Sequence, residues 1–343
     1  GNPPWSTGTK LADWPLVQGT VTRIASERAG VKIAPPLPNE GLDIPFVWRA
    51  MEWAKPGGQL AFALHARLLF QQGDGMADAR RMLFQAVDVT SVINGVELRQ
   101  TKVWPEITAP FCLLIATNRV PETGAGFRLI SPRLETALNA SGTMRIDAHS
   151  AEIVATQQLV ETPDILKTLF RGNRSDFGLI GRIRGKGFPT LESFWRQAIG
   201  ISDRGRMAGS GQGYQQLRPS SPPDRNGDGQ PGKDAKHLFG LPDVTIESLD
   251  EVVIDADNLP TFQQKRVHRL RDARLFESPL AIVHKSPPAA HCRIRVGIAV
   301  QPVAYNESFY GYCPSGFAHA DVLVRYLALV LGSKFALWFA LIT

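Results

Sequence analysis

The sequence predicts an α/β fold built in two parts. Three observations carry this prediction. Stretches with helical spacing of apolar residues run directly into short, wholly apolar segments. The texture changes near Ala151, where short strand-like segments begin to alternate with loops. The chain has 343 residues, enough for two domains. A helix feeding a wholly apolar strand is the unit of a parallel sheet covered on both faces. Residues 1–150 therefore predict the C-terminal half of an open α/β sheet. Residues 151–343 predict an α+β domain, incomplete at its C-terminal end.

The elements follow in order. Residues 6–45 are rich in Pro and Gly with little periodicity and predict a long loop or insertion near a functional site. Residues 45–54 have helical spacing and are stopped by Lys55-Pro56-Gly57-Gly58. The apolar run 60–64 predicts a strand. The unit repeats, with an amphipathic helix over 76–87 carrying Arg80 and Arg81 on its polar side, then strands over 89–93 and 110–117. The Gly/Pro-rich stretch 204–236 predicts a flexible segment. Another strand is expected over 280–283. The terminal stretch 321–343 is apolar, but Arg325, Lys334 and the pair Gly332-Ser333 interrupt it. A charge at the centre of a membrane span costs roughly 2.5–3.5 kcal/mol, so two short buried helices are predicted and no membrane partner is expected.

Composition narrows the class. A hydrophobic fraction of 43% with 20% charged residues is that of a soluble globular protein. The net charge of +6 permits a polyanion partner without requiring one. Cys112, Cys292 and Cys313 are odd in number and widely spaced, which predicts a reducing cytoplasm. The chain opens without Met, no signal peptide is expected in it, and it is expected to be an internal piece of a longer protein. Basic residues concentrate in two runs. Residues 167–206 hold nine basic against three acidic side chains, among them Arg182, Arg184 and Lys186. Residues 265–274 hold Lys265, Arg266, Arg269 and Arg271. One such run is commonly a solvated face, whereas two beside flexible loops point to a phosphate-binding surface.

The chemistry concentrates in Asn2-Pro3-Pro4-Trp5. The exocyclic amine of adenine is a poor nucleophile because its lone pair is delocalised into the ring. Two acceptors that hold its hydrogens out of the ring plane free that lone pair. Asn2 can offer a side-chain carbonyl and Pro3 a backbone carbonyl. Pro3 and Pro4 fix φ, and Asn2, preceding proline, is held extended. Trp5 offers a flat face for stacking. A base must leave the duplex to reach such a site. Catalysis here is positioning and electrostatics, since Asn is no general base. The plain alternative is an ordinary proline turn.

The order Asn-Pro-Pro-aromatic, Lys55-Pro56-Gly57-Gly58 with an apolar strand, Glu97-Leu98-Arg99 with Val103-Trp104, then 111–116, resembles the amino-directed adenine DNA methyltransferases. The subgroup it resembles joins methyltransferase and target recognition in one chain, often with a nuclease. Stretches 275–285 and 327–339 are similar to parts of that subgroup's recognition domain. The resemblance implies a Rossmann-like methyltransferase sheet followed by a target recognition domain. It also implies S-adenosylmethionine as cofactor, double-stranded DNA as partner, and a fused or separate nuclease. Carried over, Asn2 and Pro3 are the amine acceptors and Trp5 stacks on the base. Trp stands where the family more often has Tyr or Phe. The family's glycine turn and acidic residue for the cofactor precede Asn-Pro-Pro-aromatic, so this stretch is expected to lack most of the cofactor half. Two alternatives are a non-catalytic DNA-binding module of the same fold and an amino methyltransferase acting on RNA or a protein amide.

Three further signals are weaker. Gly209, Gly211 and Gly213 imitate a phosphate loop, but without a preceding strand they predict a flexible recognition loop. Asp224 to Gly229 imitates a calcium loop, but Ala235 stands where a bidentate Glu is needed. His284, His291, Cys292, Cys313 and His319 lack zinc spacing, and no metal is expected.

Overall fold

The computed structural model describes all residues except 9, 10, 74, 149, 204, 225–227 and 287–292. The fold is mixed α/β and divides into two compact units, Gly1–Ile180 with Ile342–Thr343, and Gly181–Leu341.

The first unit opens with a helix where a loop was expected. Helix α1 (Trp14–Ala29) has Pro15 in its first turn and Gly30 at φ +67° closing it. Proline at a helix start and glycine just past its end are the favoured arrangement. It buries Trp14, Val21, Ile24 and Ala25. The weak helix formers Gly19, Thr20 and Thr22 hide this pattern in the sequence.

Helix α2 (Asp43–Trp53) then leads into strand β1 (Gln59–His65), as the spacing predicts. The short α3 (Arg67–Phe70) and α4 (Met76–Ala86) precede strand β2 (Asp88–Asn94). Strands β3 (Phe111–Thr117) and β4 (Gly126–Ile130), helix α5 (Thr136–Ala140) and strand β5 (Ala151–Ala155) follow. The sheet order is β1-β3-β2-β4-β5.

The sheet is not the parallel one the repeat unit predicts. Strand β3 lies antiparallel between β1 and β2, and β5 is antiparallel to β4, while β2 and β4 are parallel. A parallel neighbour needs a crossover, usually helical. Between Asn94 and Phe111 the chain forms only a 3-10 turn at Val96–Leu98, so β3 returns beside β2 in the opposite sense.

One latch sets the start of β1. The Asn118 side-chain amide donates to the carbonyls of Met51 (2.9 Å) and Ala54 (2.7 Å) at the end of α2. Its backbone exchanges bonds with Gly57 (3.0 Å) and Gly58 (2.8 Å). The Lys55-Pro56-Gly57-Gly58 turn is thereby tied to the end of β3. Gly57 sits at φ +74°, open to glycine without strain.

Arg80 corrects a second expectation. It lies on the core side of α4, fully buried, with Arg81 on the polar side. Its guanidinium donates to the carbonyls of Leu68 (2.7 Å) and Gln71 (3.3 Å), closing the end of α3. Burial brings its pKa down to about 10, so it stays charged at neutral pH. Around it the core gathers Val47, Trp48, Leu64, Leu83, Phe84, Val92, Leu114 and Phe127.

The expected boundary at 150 precedes elements that belong to this core. Strand β5 pairs with β4 along its length. Helices α6 (Thr156–Glu161) and α7 (Ile165–Arg171) add Leu159, Ile165 and Leu166 to the same core. The division between units falls inside α8 (Arg174–Gly185). With α9 (Leu191–Ala198), the region beyond Ala155 is helical where short strands were expected. Thr190 caps α9 by accepting from the Ser193 N–H at 3.1 Å.

In the second unit, strands β6 (Ser210–Gln212), β9 (Leu280–His284), β10 (Val296–Ala299) and β11 (Phe309–Tyr312) form an antiparallel sheet in the order β10-β9-β11-β6. Strands β7 (Lys233–Asp234) and β8 (Arg266–Val267) pair separately. The Gly209–Gly213 stretch is therefore an edge strand, not a flexible loop. A Cβ on Gly213 would lie 1.8 Å from the Tyr305 carbonyl oxygen, and one on Gly209 2.2 Å from that of Cys313. The glycines are there because backbone passes close to backbone.

Among the described residues no single helix is long and apolar enough to cross a membrane; α10 (Ala320–Leu331) and α11 (Lys334–Ile342) are bent by 64° to one another. Helix α10 buries Leu323, Val324 and Leu327, but α11 fully buries only Ile342, with residues 336–339 half-buried, so the second of the two predicted helices is only partly covered. Cys112 and Cys313 are buried free thiols; Cys292 lies outside the described residues, as do His291 of the zinc set and Asn226 of the calcium-like loop.

Candidate active site

The tetrapeptide lies along the free edge of β1. The Gly1 amino group donates to the Ala61 carbonyl at 2.5 Å, and the Ala63 N–H donates to the Gly1 carbonyl at 3.0 Å. One residue bonding two alternate residues of its neighbour is the pattern of parallel pairing. The chain thus runs with β1 at Gly1 and reaches Asn2-Pro3-Pro4-Trp5 towards the carboxyl end of β1. In open α/β sheets that end is where ligands bind.

Each residue of the four has a distinct setting. Pro3 is buried, Asn2 and Pro4 are exposed, and Trp5 is half-buried. Among the described residues nothing bonds to the Asn2 side chain or to the Pro3 carbonyl. The Trp5 indole N–H donates to the Ala63 carbonyl at 3.2 Å, which fixes one edge of the ring. The Ser6 carbonyl accepts from the Leu42 N–H at 3.2 Å, and Thr7 bridges Gly41, so the chain is held again just past the four residues.

Two residues at the same end of β1 escaped the sequence reading. His65, the last residue of β1, meets the Trp5 ring edge-on, with centroids 6.2 Å apart and planes at 71°. Its Nδ1 accepts from the Arg67 N–H at 3.1 Å. Burial first, then the Arg67 charge, hold its pKa below the ordinary value, with Asp43 opposing them. Asp43, buried at the start of α2, accepts the His65 backbone N–H at 3.3 Å through Oδ2. The available signal was a lone His closing an apolar strand just beyond the helix–turn–strand unit.

Among the described residues, two glycine-rich stretches differ from a turn that follows a strand. Lys55-Pro56-Gly57-Gly58 precedes its strand instead of following one, and Gly209 and Gly213 flank a strand, Ser210–Gln212.

The basic residues divide into different employments. Arg182 and Arg184, near the end of α8, and Lys186 just past it are exposed. Lys265 is exposed, while Arg266 is engaged in structure. Arg266 donates to the carbonyls of Pro231 (2.8 Å), Gln230 (3.1 Å) and Gly232 (2.6 Å) and to Asp228 (2.8 Å). It closes the 228–232 turn, which does not suit a phosphate contact. Arg271 is half-buried, with Nε donating to the Gly213 carbonyl at 3.1 Å. Burial, then the charges of Arg269 and Arg206, push its pKa down. The fold thus gathers Arg206 with Arg269 and Arg271, a positive cluster that no single run of sequence displays.

Comparison with models of protein families and with curated proteins found no match. Among solved structures the chain is similar to the type IIL restriction–modification enzyme MmeI in complex with DNA, at 9% identity over 97% of this chain and 42% of that one, with a TM-score of 0.44. It is similar to a DrdV–DNA complex at 8% identity over 91% of this chain and 35% of that one, with a TM-score of 0.40. It is also similar to a type I restriction–modification methyltransferase subunit from Streptococcus thermophilus, at 17% identity over 47% of this chain and 35% of that one, with a TM-score of 0.31. The chain spans between 35% and 42% of the length of these proteins.

Proposed function

We propose that this chain carries the target-base half of a site-specific DNA adenine methyltransferase in a restriction–modification or phage-defence system. Its substrate in this reading is a flipped adenine in double-stranded DNA. The observation that carries the reading is the state of the two acceptors. The Asn2 carboxamide and the Pro3 carbonyl have no partner among the described residues, and both lie within three residues of an indole fixed at the carboxyl end of a strand.

The chain's own residues then act as follows. Trp5 receives one face of the extruded base. The Asn2 carbonyl oxygen and the Pro3 carbonyl accept the two hydrogens of the exocyclic amine. The proline rings hold the Pro3 carbonyl in place before the base arrives, whereas the exposed Asn2 carboxamide takes up its position as the base binds. The nitrogen lone pair is turned out of conjugation towards the methyl donor, whose methyl–sulfur bond would break with its electron pair kept by sulfur, and the proton the amine loses would pass along the acceptor hydrogen bonds to solvent. S-adenosylmethionine supplies the methyl group in this family. The exposed basic side chains Arg182, Arg184, Lys186, Lys265 and Arg269, with Arg206 and Arg271, serve the phosphate backbone.

The test is product identity. The full-length protein is incubated with S-adenosylmethionine and duplex DNA, and the DNA is digested to nucleosides and separated. N6-methyladenine is the expected product. Methylated cytosine would correct the target base. Label appearing only in RNA or protein would move the site to another amine. DNA binding without any transfer would leave a binding module.

A further inference from the structure

Trp5 is held at one edge by a single hydrogen bond to the Ala63 carbonyl. A single bond of this kind acts as a pivot, about which the indole can swing. What stops the swing lies two residues farther along β1, where His65 meets the ring at 6.2 Å and 71°. Edge-to-face geometry in this distance range is the attractive arrangement for two aromatic rings. His65 is itself fixed, by the Arg67 N–H on its Nδ1 and by Asp43 on its backbone N–H.

We propose that His65 is the positioning residue of Trp5: its ring holds the indole at the angle on which the target base stacks, and does so only as the neutral imidazole. The proposal rests on the reading of Trp5 as the stacking face. The restriction to the neutral form follows from the hydrogen bond. Because Nδ1 accepts from Arg67, the ring proton resides on Nε2. Protonation would put a second N–H on Nδ1, facing the Arg67 N–H, and the bond that orients the ring would be lost. The charged groups facing the imidazole are Arg67 from α3 and Asp43 from α2. Burial and Arg67 outweigh Asp43 and keep the ring neutral at pH 7.

The experiment uses the full chain labelled with 5-fluorotryptophan. The Trp5 fluorine resonance is identified by its loss in Trp5→Phe and followed against pH. It is expected to shift with a midpoint below the ordinary 6.5 of histidine, and to lose that shift in His65→Asn, which keeps an acceptor for the Arg67 N–H. Methyl transfer by the full-length protein gives the second readout. The wild type should lose kcat/KM on the acid side with the same midpoint, and neither His65→Asn nor His65→Phe should show that limb. At pH 8, His65→Asn should lose about 2- to 10-fold in kcat/KM, and His65→Phe, which keeps a ring, should lose less. A protein that transfers methyl groups while its Trp5 resonance ignores His65 overturns the proposal alone. A resonance that titrates with His65 in a protein that transfers no methyl group overturns the proposal together with the reading beneath it.

Discussion

The tetrapeptide at residues 2–5 and the basic run at residues 265–274 are both selected by residue type, yet the fold treats them in opposite ways. At the first, the groups that the proposed chemistry would use are left unbonded: the Asn2 amide and Pro3 carbonyl bond to nothing described. At the second, charge is partly drawn into the scaffold. Arg266 closes a turn with four bonds, and Arg271 ties its Nε to Gly213, while Lys265 and Arg269 face solvent. Residue type names a candidate. The hydrogen-bond inventory decides whether the candidate is available.

The comparison can be broken most severely through the glycine strand beneath the arginines. Gly213→Ala forces a Cβ against the Tyr305 carbonyl, where backbone must move. It should cost about 3 kcal/mol or more, seen as a large drop in the thermal midpoint of the second unit. Gly211→Ala is the control, since its Cβ would make an ordinary 3.4 Å contact with Leu275. Equal stability of the two variants would mean that β6 is not packed as described.

The arginines sharpen the contrast further. Arg266→Ala should lower stability by about 0.5–1.5 kcal/mol, because it removes the bonds that close the turn while water reaches most of the acceptors, and should leave the salt dependence of DNA binding unchanged. Arg269→Ala should do the reverse, flattening the log–log salt slope by about 0.9 at constant thermal midpoint. An exchange of these two outcomes would undo the division between structural and solvent-facing charge.

At the first region, Trp5→Phe keeps a stacking face and loses the bond to Ala63. That bond is worth about 0.5–1.5 kcal/mol, so kcat/KM should fall roughly 2- to 10-fold. Trp5→Ala also removes the platform, worth roughly 1–3 kcal/mol per stacked base, and should weaken capture of the flipped base. Identical activity for both variants would mean that the indole neither stacks nor needs its anchor.

The smallest effect is that of pH on stability. His65 in the first unit and His237 in the second both have pKa values held below 6.5, chiefly by burial. The unfolded chain therefore binds protons more readily than the folded one. Their contribution is complete above pH 6.5 and declines as pH falls from there towards the folded values. Unfolding in urea at pH 7.5 and pH 5.5 should show that loss, and His65→Phe with His237→Phe should reduce it.

Much of the first unit was legible because its signals are local. Helix α2, the turn at Lys55-Pro56-Gly57-Gly58 and β1 follow from spacing and stop residues, as do α4, β2 and β3. The direction of β3 was not, because strand order is settled by which connections contain a helix. Helix α1 was masked by Gly19 and the threonines. Arg80 was placed on the wrong side of α4 because an arginine reads as surface until its carbonyl partners are known. In the second unit the glycine stretch looked flexible because close backbone contacts leave no trace in side-chain type. The tetrapeptide was visible as a motif, but His65 and Asp43 reach it only through the fold.

The central claim is that Asn2 acts on the amine in the transition state and contributes little before it. The direct measurement compares Asn2→Ala with wild type in the full-length protein, for both methyl transfer and DNA affinity. Loss of one such acceptor should reduce turnover by about 100- to 1000-fold, while affinity for the cognate duplex stays close to wild type because the interaction is made chiefly in the transition state. Methylation of adenine by Asn2→Ala at near wild-type rate would show that the tetrapeptide is only a turn, and would contradict the account.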